Sequence, residues 1–143
     1  MDTYNFYHSI EVRYADIDAQ RHVNNKCYFT YMEQARVEYI HVLGLWDGKD
    51  FDRIGWVVAE QSCRYILPVR FGQHLRVGVR TSKLGNKSME LMYSIQDADT
   101  EEEMAAGQSV QVAYDYINQK SIPIPDMWYE AISKFEKFKA QDT

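Results

Sequence analysis

The segment Ala15-Asp16-Ile17-Asp18-Ala19-Gln20-Arg21-His22-Val23-Asn24-Asn25 gathers two carboxylates, a histidine and two asparagines in one short polar stretch. It runs into residues whose apolar positions repeat with a helical period, so its last members stand at a helix N-terminus. The first amides there have no intrahelical acceptor and carry partial positive charge, which stabilises an oxyanion or a carbonyl oxygen. A carboxylate a few residues earlier is then placed as a base or nucleophile beside a carbonyl polarised by backbone amides. The plainer account is that Asp16 and Asp18 close Asx-turns and that His22 caps or packs. Spacing alone leaves both open.

Other chemistries lack their residues. Neither G-x-x-x-x-G-K-[ST] nor G-x-G-x-x-G occurs, so the glycine loops of phosphate and dinucleotide sites are missing. Gly107-Gln108-Ser109-Val110-Gln111 lacks the second glycine of a nucleophile elbow and falls inside a strand pattern. His8, His22, His41 and His74 show neither i, i+4 spacing nor cysteine partners, which argues against a metal site. Cys27 and Cys63 are too few for a disulfide scaffold. Cys27 sits in the first helical turn, where the dipole lowers a thiol pKa, yet it falls at the edge of the polar arc. With 16 Lys plus Arg against 21 Asp plus Glu, the net charge of -5 disfavours nucleic acid as a partner. No apolar run approaches the roughly 20 residues of a membrane span, and Met1 to Ile10 does not read as a signal peptide. A cytoplasmic, cofactor-free protein is expected.

The elements that must position the loop follow from periodicity. Phe6 to Tyr14 reads as a strand, followed by the polar loop up to Asn24. Over residues 25–43, at about 100° per residue, Tyr28, Tyr31, Met32, Ala35, Tyr39, Val42 and Leu43 share an arc about 120° wide. Lys26, Thr30, Gln34, Glu38 and His41 lie opposite. This predicts a sheet-packing helix with Asn24 as N-cap and Gly44 at the left-handed C′ position. Glu33 and Arg36 form an i, i+3 pair on it. Trp56 to Ile66 reads as a strand ended by Pro68. Leu75 to Thr81 and Met89 to Gln96 alternate cleanly, and Gly85-Asn86 joins them as an antiparallel hairpin. The last strand, around Gln108 to Tyr116, is expected to bury Val110, Val112, Tyr114 and Tyr116. Asp126 to Lys139 predicts a short helix with Trp128, Ile132 and Phe135 on one face and Lys134, Lys137 and Lys139 towards its end. The order β-α-β-β-β-β-α makes an α+β fold with a largely antiparallel sheet, one domain over residues 1–143.

Val12-Arg13-Tyr14-Ala15-Asp16-Ile17-Asp18, then His22-Val23-Asn24-Asn25, Tyr28 and Glu33-Gln34-Ala35-Arg36, resembles the opening of the hotdog-fold acyl-CoA thioesterases, the 4-hydroxybenzoyl-CoA thioesterase-like group. Tyr65-Ile66-Leu67-Pro68-Val69-Arg70-Phe71-Gly72 and the Leu84-Gly85-Asn86-Lys87-Ser88 turn extend the resemblance over most of the chain. It implies a curved antiparallel sheet of five or six strands wrapped around one long helix, with a short C-terminal helix. It further implies a homodimer or homotetramer in which two subunits join their sheets and share active sites.

The resemblance implies that Asp18 is the catalytic carboxylate, acting as nucleophile or through water, and that the Asn25 amide holds the thioester oxygen. His-Val-Asn-Asn is also similar to the plant acyl-carrier-protein thioesterases, which implies a supporting role for His22. Those enzymes carry Asn two residues after the Asp, where this chain has Gln20. Their additional acid has no clear counterpart; Glu60 on the long strand is a candidate across the dimer, the alternative being an exposed strand carboxylate. Asn24, Tyr28 and Glu60 are candidate substrate contacts. Lys83 and Lys87 are candidates for the phosphates of coenzyme A, the alternative being solvated turn lysines. The expected activity is cofactor-free hydrolysis of an acyl-CoA or acyl-carrier-protein thioester. A dehydratase would need a His and acid pattern that is not found; a binding module that sequesters acyl-CoA or acyl carrier protein without turnover is the remaining alternative.

Overall fold

The 18-residue helix α1, Asn25–Val42, organises the molecule in a computed structural model that describes residues 4–138. Asn24 caps it, its side-chain Oδ1 accepting the Lys26 amide at 3.1 Å. Gly44 adopts φ 78° just beyond its end, as the left-handed C′ position requires. Tyr28, Tyr31, Met32, Ala35 and Tyr39 are buried. Val42, placed by the period on the buried arc, is 62% exposed, although Tyr39 and Ile40 of the same turn are buried. Cys27 and Arg36 are buried instead, and both are hydrogen-bonded there, which is how polar groups enter such a face.

The sheet consists of β1 (Tyr7–Glu11), β2 (Ile54–Tyr65), β3 (His74–Leu84), β4 (Ser88–Asp97), β5 (Glu103–Asp115) and the two-residue β6 (Lys120–Ser121). All pairs are antiparallel, in the order β1-β3-β4-β5-β2 with β6 beside β5. A curled antiparallel sheet packs against the long helix, and a short helix α2, Asp126–Glu136, closes the chain, as the resemblance implies. β1 is shorter than expected, since Tyr14–Asp16 turns into a 3-10 helix that redirects the chain towards α1. Lys139 lies outside the described residues. Among these, no helix is long and apolar enough to cross a membrane.

Alternation places Leu75, Val77 and Val79 of β3, and Met89, Leu91, Tyr93 and Ile95 of β4, in the core. β5 reverses the expectation. Its buried face carries Ser109, Gln111 and Ala113, whereas Val110, Val112 and Tyr114 are half-buried on the outer face and Tyr116 is exposed. Hydrogen bonding makes the polar face tolerable: Tyr93 Oη and Ser109 Oγ lie 2.7 Å apart, Gln111 donates to Ser109 Oγ, and Arg36 donates to the Tyr93 hydroxyl at 3.2 Å.

Close packing fixes β5 under α1. A Cβ added to Gly107 would stand 2.3 Å from Met32 Sδ and 3.1 Å from the Ser62 carbonyl oxygen. Met32 is fully buried and the second neighbour is backbone, so neither gives way freely. Gly107→Ala should cost about 1–3 kcal/mol in chemical denaturation. The effect should be non-additive with Met32→Ala, which removes the first clash.

Helix α2 seals the end of the core near the C-terminus of α1. Ile132 is buried, Trp128 stacks on Trp56 at 5.3 Å between ring centroids, and Phe135 meets Tyr39 edge-on at 6.0 Å. The Glu136 carboxylate accepts the Thr81 amide at 2.9 Å and the Tyr39 hydroxyl. Burial, then that carboxylate, raises the Tyr39 pKa, so the hydroxyl stays a donor.

Candidate active site

The loop before α1 is tied down by Asp16. One of its carboxylate oxygens receives Arg13 Nη2 at 2.8 Å and Nε at 3.1 Å; the other receives the Arg13 amide at 3.0 Å and the Tyr31 hydroxyl at 2.7 Å. Burial pushes this carboxyl up, but the hydrogen bonds and charge of Arg13, with Tyr31, outweigh it and hold the pKa below the usual range. The Asp16 carbonyl accepts the Asn24 amide at 2.8 Å, joining both ends of the loop at the helix start. Cys27 Sγ lies 3.7 Å from an Asp16 carboxylate oxygen, and burial together with that charge raises its pKa. Its environment is therefore opposite to that of a dipole-activated thiolate.

From this anchor the chain makes a tight excursion that presents Asp18. Ile17 bridges to Val23, the Asp18 amide donates to the His22 carbonyl at 3.0 Å, and the Arg21 amide to the Asp18 carbonyl at 2.9 Å. Asp18 Oδ1 accepts the Gln20 amide at 2.9 Å, an Asx-turn of the kind the plainer account foresaw. The turn does not withdraw the residue from the surface: Asp18 is half-buried and faces an open cleft of about 260 Å³. Gln20, His22, Asn25, Tyr28 and Tyr65 share that cleft with Ile66, Leu67 and Pro68.

The opposite wall comes from the end of β2. The Tyr65 hydroxyl donates to the Asn25 carbonyl at 3.1 Å, and its ring lies 4.9 Å from that of Tyr28. The Val23 amide donates to the Val69 carbonyl at 2.8 Å, holding the loop against this wall. At the helix start, Asn24 accepts the Lys26 and Cys27 amides. The Asn25 amide is left with no acceptor among the described residues. The cleft is thus lined by Asp18 and by Asn25, the residue that begins α1; a carboxylate and a helix N-terminal amide are groups suited to adding an oxygen nucleophile to a carbonyl and stabilising the resulting oxyanion.

Asp18, His22, Asn25 and Tyr28 therefore meet at one place, with Asn24 behind them as the cap. Glu60 does not join them within the subunit. It is exposed, pairs with Val110 on the outer side of the sheet and lies five positions from Tyr65, about 17 Å along the strand. Lys83 and Lys87 flank the β3–β4 hairpin, at the end of the sheet where β2 begins. Tyr65 and the Ile66-Leu67-Pro68 wall were not among the candidate site residues; the sequence signals there were the family resemblance of Tyr65 to Gly72 and the strand-ending Pro68.

A family model described as "Thioesterase-like superfamily" matches residues 12–132. The uncharacterized protein YsmA of Bacillus subtilis (strain 168) is 32% identical over 91 residues, 64% of this chain and 60% of that protein. The match thus spans less than two thirds of that relative's length. Among solved structures, the PA5185 protein from Pseudomonas aeruginosa strain PAO1 superposes with a TM-score of 0.84 at 28% identity, over 93% of this chain and 92% of that one. A thioesterase from Thermus thermophilus, crystallised with coenzyme A and Zn, gives a TM-score of 0.82 at 29% identity, over 97% of this chain and all of that one.

Proposed function

Because the chain belongs to the thioesterase-like superfamily, we propose that it hydrolyses an acyl-CoA thioester in the cleft between Asp18 and the start of α1. The observation that carries this reading is that Asp18 and Asn25, the first residue of α1, line one cleft. The thioester oxygen takes the amide. Asp18 either attacks the carbonyl carbon, the C–S bond breaking to expel the CoA thiolate and leave a mixed anhydride that water then cleaves to the acid and the free Asp18 carboxylate, or takes a proton from a water that attacks the carbon as the C–S bond breaks; in both routes the proton lost by water ends on the CoA thiol. His22 lines the same cleft and supports the polar end of the substrate.

The reading includes a homodimer. β2 is a sheet edge of 12 residues whose Ile54, Val58 and Tyr65 are 43%, 42% and 41% exposed. A long apolar edge of this kind calls for a partner strand, and a second copy supplies an antiparallel one about a two-fold axis. Such pairing brings the hairpin bearing Lys83 and Lys87 in one subunit to the end where the other's cleft opens, within reach of coenzyme A phosphates.

The test is release of free thiol from a panel of acyl-CoA and acyl-carrier-protein thioesters, alongside the sedimentation mass. Turnover with at least one acyl-CoA is expected from a dimer or tetramer. Saturable binding without thiol release would replace the hydrolase by a sequestering module, and preference for the carrier protein would replace coenzyme A as the leaving group.

A further inference from the structure

Tyr65 reaches the start of α1 from the edge of the sheet because of one extra residue in β2. Ala59 lies between Val58, paired with Gln111, and Glu60, paired with Val110. A bulge exchanges the faces of the strand beyond it, so Tyr65 falls opposite Ala105, on the buried side of β5. Without Ala59, residue 65 would point away from the helix. The strand end is pinned as well, since the Ile66 and Leu67 amides both donate to the Met104 carbonyl, at 2.9 and 3.0 Å. From this base the Tyr65 hydroxyl crosses the cleft to the Asn25 carbonyl at 3.1 Å, and its ring stands edge-on to that of buried Tyr28 at 4.9 Å.

Asn25 opens α1, and the first turn is where a helix frays and where its backbone has the fewest intrahelical bonds. Here the residue is held from both sides. Before it, the Asn24 amide donates to the Asp16 carbonyl at 2.8 Å. After it, the Tyr65 hydroxyl holds its own carbonyl. Only the two soft dihedrals of one residue separate that carbonyl from the Asn25 amide, so fixing the one restrains the direction of the other. We propose that Tyr65 is a positioning residue for thioester hydrolysis: by holding the Asn25 carbonyl, it aims the Asn25 amide at the thioester oxygen. This rests on the hydrolase reading above and deepens it by adding the group that keeps the polarising amide in place.

Aiming matters because a donor stabilises an oxyanion without reorganisation only if it is in place before the charge develops. A misplacement of about 1 Å can cost about 10²-fold in rate. Tyr65 works from a paired strand, the kind of rigid element that holds such geometry better than a loop does. Burial, then the neighbouring Cys63, raises the Tyr65 pKa, so the hydroxyl keeps its proton at neutral pH and remains a donor. A group that does not titrate in the working range leaves the pH profile alone, which sets positioning apart from proton transfer.

Tyr65→Phe removes the hydroxyl and keeps the ring against Tyr28. The probes are acetyl-CoA, phenylacetyl-CoA and palmitoyl-CoA, with the fastest of them as working substrate. In Tyr65→Phe, kcat should fall by about 10-fold, less than the roughly 10²–10³-fold of losing an oxyanion donor outright. KM and Tm should stay near wild type, and the loss should be the same at every pH. A kcat equal to wild type would overturn the proposal. So would a displaced limb of the pH profile, which would make Tyr65 an acid or base. A wild type that releases thiol from none of the probes would sink the hydrolase reading and the positioning role together, whereas a wild type that turns over beside an equally fast Tyr65→Phe would sink the positioning role alone.

A double-mutant cycle tests whether Tyr65 acts through the amide. Once Asn25→Pro has removed that amide there is nothing left to aim, so adding Tyr65→Phe should cost no further activity. Multiplicative losses would give Tyr65 a contact of its own with the substrate and overturn the positioning role. Backbone ¹⁵N relaxation reads the restraint without turnover, and still does so if Asn25→Pro fails to fold. Order parameters at Asn25 and Lys26 should drop in Tyr65→Phe below the rigid value of about 0.85. Values equal to wild type at both positions would show a first turn that is rigid without Tyr65, and the proposal would fall.

Discussion

Asp18→Asn should lower kcat for thioester hydrolysis by about 10²–10⁴-fold, and Asn25→Pro by about 10²–10³-fold, both with little change in thermal stability. The pair separates the attacking group from the polarising one. In Asp18→Asn the side-chain carbonyl still accepts the Gln20 amide, so the Asx-turn that presents residue 18 persists while the nucleophile or base is gone. Asn25→Pro removes the backbone donor together with the exposed Asn25 carboxamide, and Asn25→Ala, which keeps the backbone amide, separates the two and should stay near wild type. Residue 25 is the first of α1, a position proline favours because its fixed φ is helical and its missing N–H would have no intrahelical acceptor. Asn24 already has φ -62° and ψ 139°, the extended conformation that a residue before proline must adopt. The Asn25 carbonyl remains to accept the Tyr65 hydroxyl. A thiol-release assay that finds Asn25→Pro as fast as wild type would remove the amide from the mechanism, whatever Asp18 does.

How much of this was readable in the chain depends on how local the cause is. Asp18, His22, Asn25 and Tyr28 lie within one loop and the helix it enters, so turn chemistry and helical period bring them together. Asn24 and Gly44 mark the helix ends because a cap and a left-handed residue are single-position requirements. Tyr65 reaches Asn25 across 40 positions, and no period reports a contact of that range. The placement of Glu60 hinges on the single extra residue Ala59, which exchanges the two faces of β2 midway. β5 misleads for a different reason. Its apolar Val110, Val112 and Tyr114 look like the core side, but Ser109 and Gln111 are carried inward by hydrogen bonds to Tyr93 and to each other, which a hydropathy pattern does not weigh. The acidic composition excluded partners without indicating one, whereas the tyrosines divided into roles only once placed: Tyr31 on Asp16, Tyr39 on Glu136, Tyr65 on the cleft.

Asp16→Ala should destabilise the protein by about 2–4 kcal/mol, since it leaves the buried Tyr31 hydroxyl and the Arg13 amide without their acceptor. That corresponds to a fall in Tm of about 5–12 °C. Asp16→Asn should lie between, as its carbonyl oxygen still accepts one donor while its amide faces the others. The loss should also depend on pH in a direction fixed by the carboxyl itself. Because its folded pKa lies below the ordinary value of 3.8, the ionised form stabilises the fold fully above that value, and the contribution is lost as pH falls through the folded pKa. The gap in stability between wild type and Asp16→Ala should therefore be constant at about pH 5 and above and narrow below about pH 4. Activity should fall less than in Asp18→Asn, because the Asp16 carbonyl, which the substitution spares, still receives the Asn24 amide and keeps the loop on the helix. Denaturant titrations at pH 7, 5 and 3 measure the gap. A gap unchanged at pH 3 would mean that the packing of residue 16, and not its charge on Arg13 and Tyr31, anchors the loop that carries Asp18.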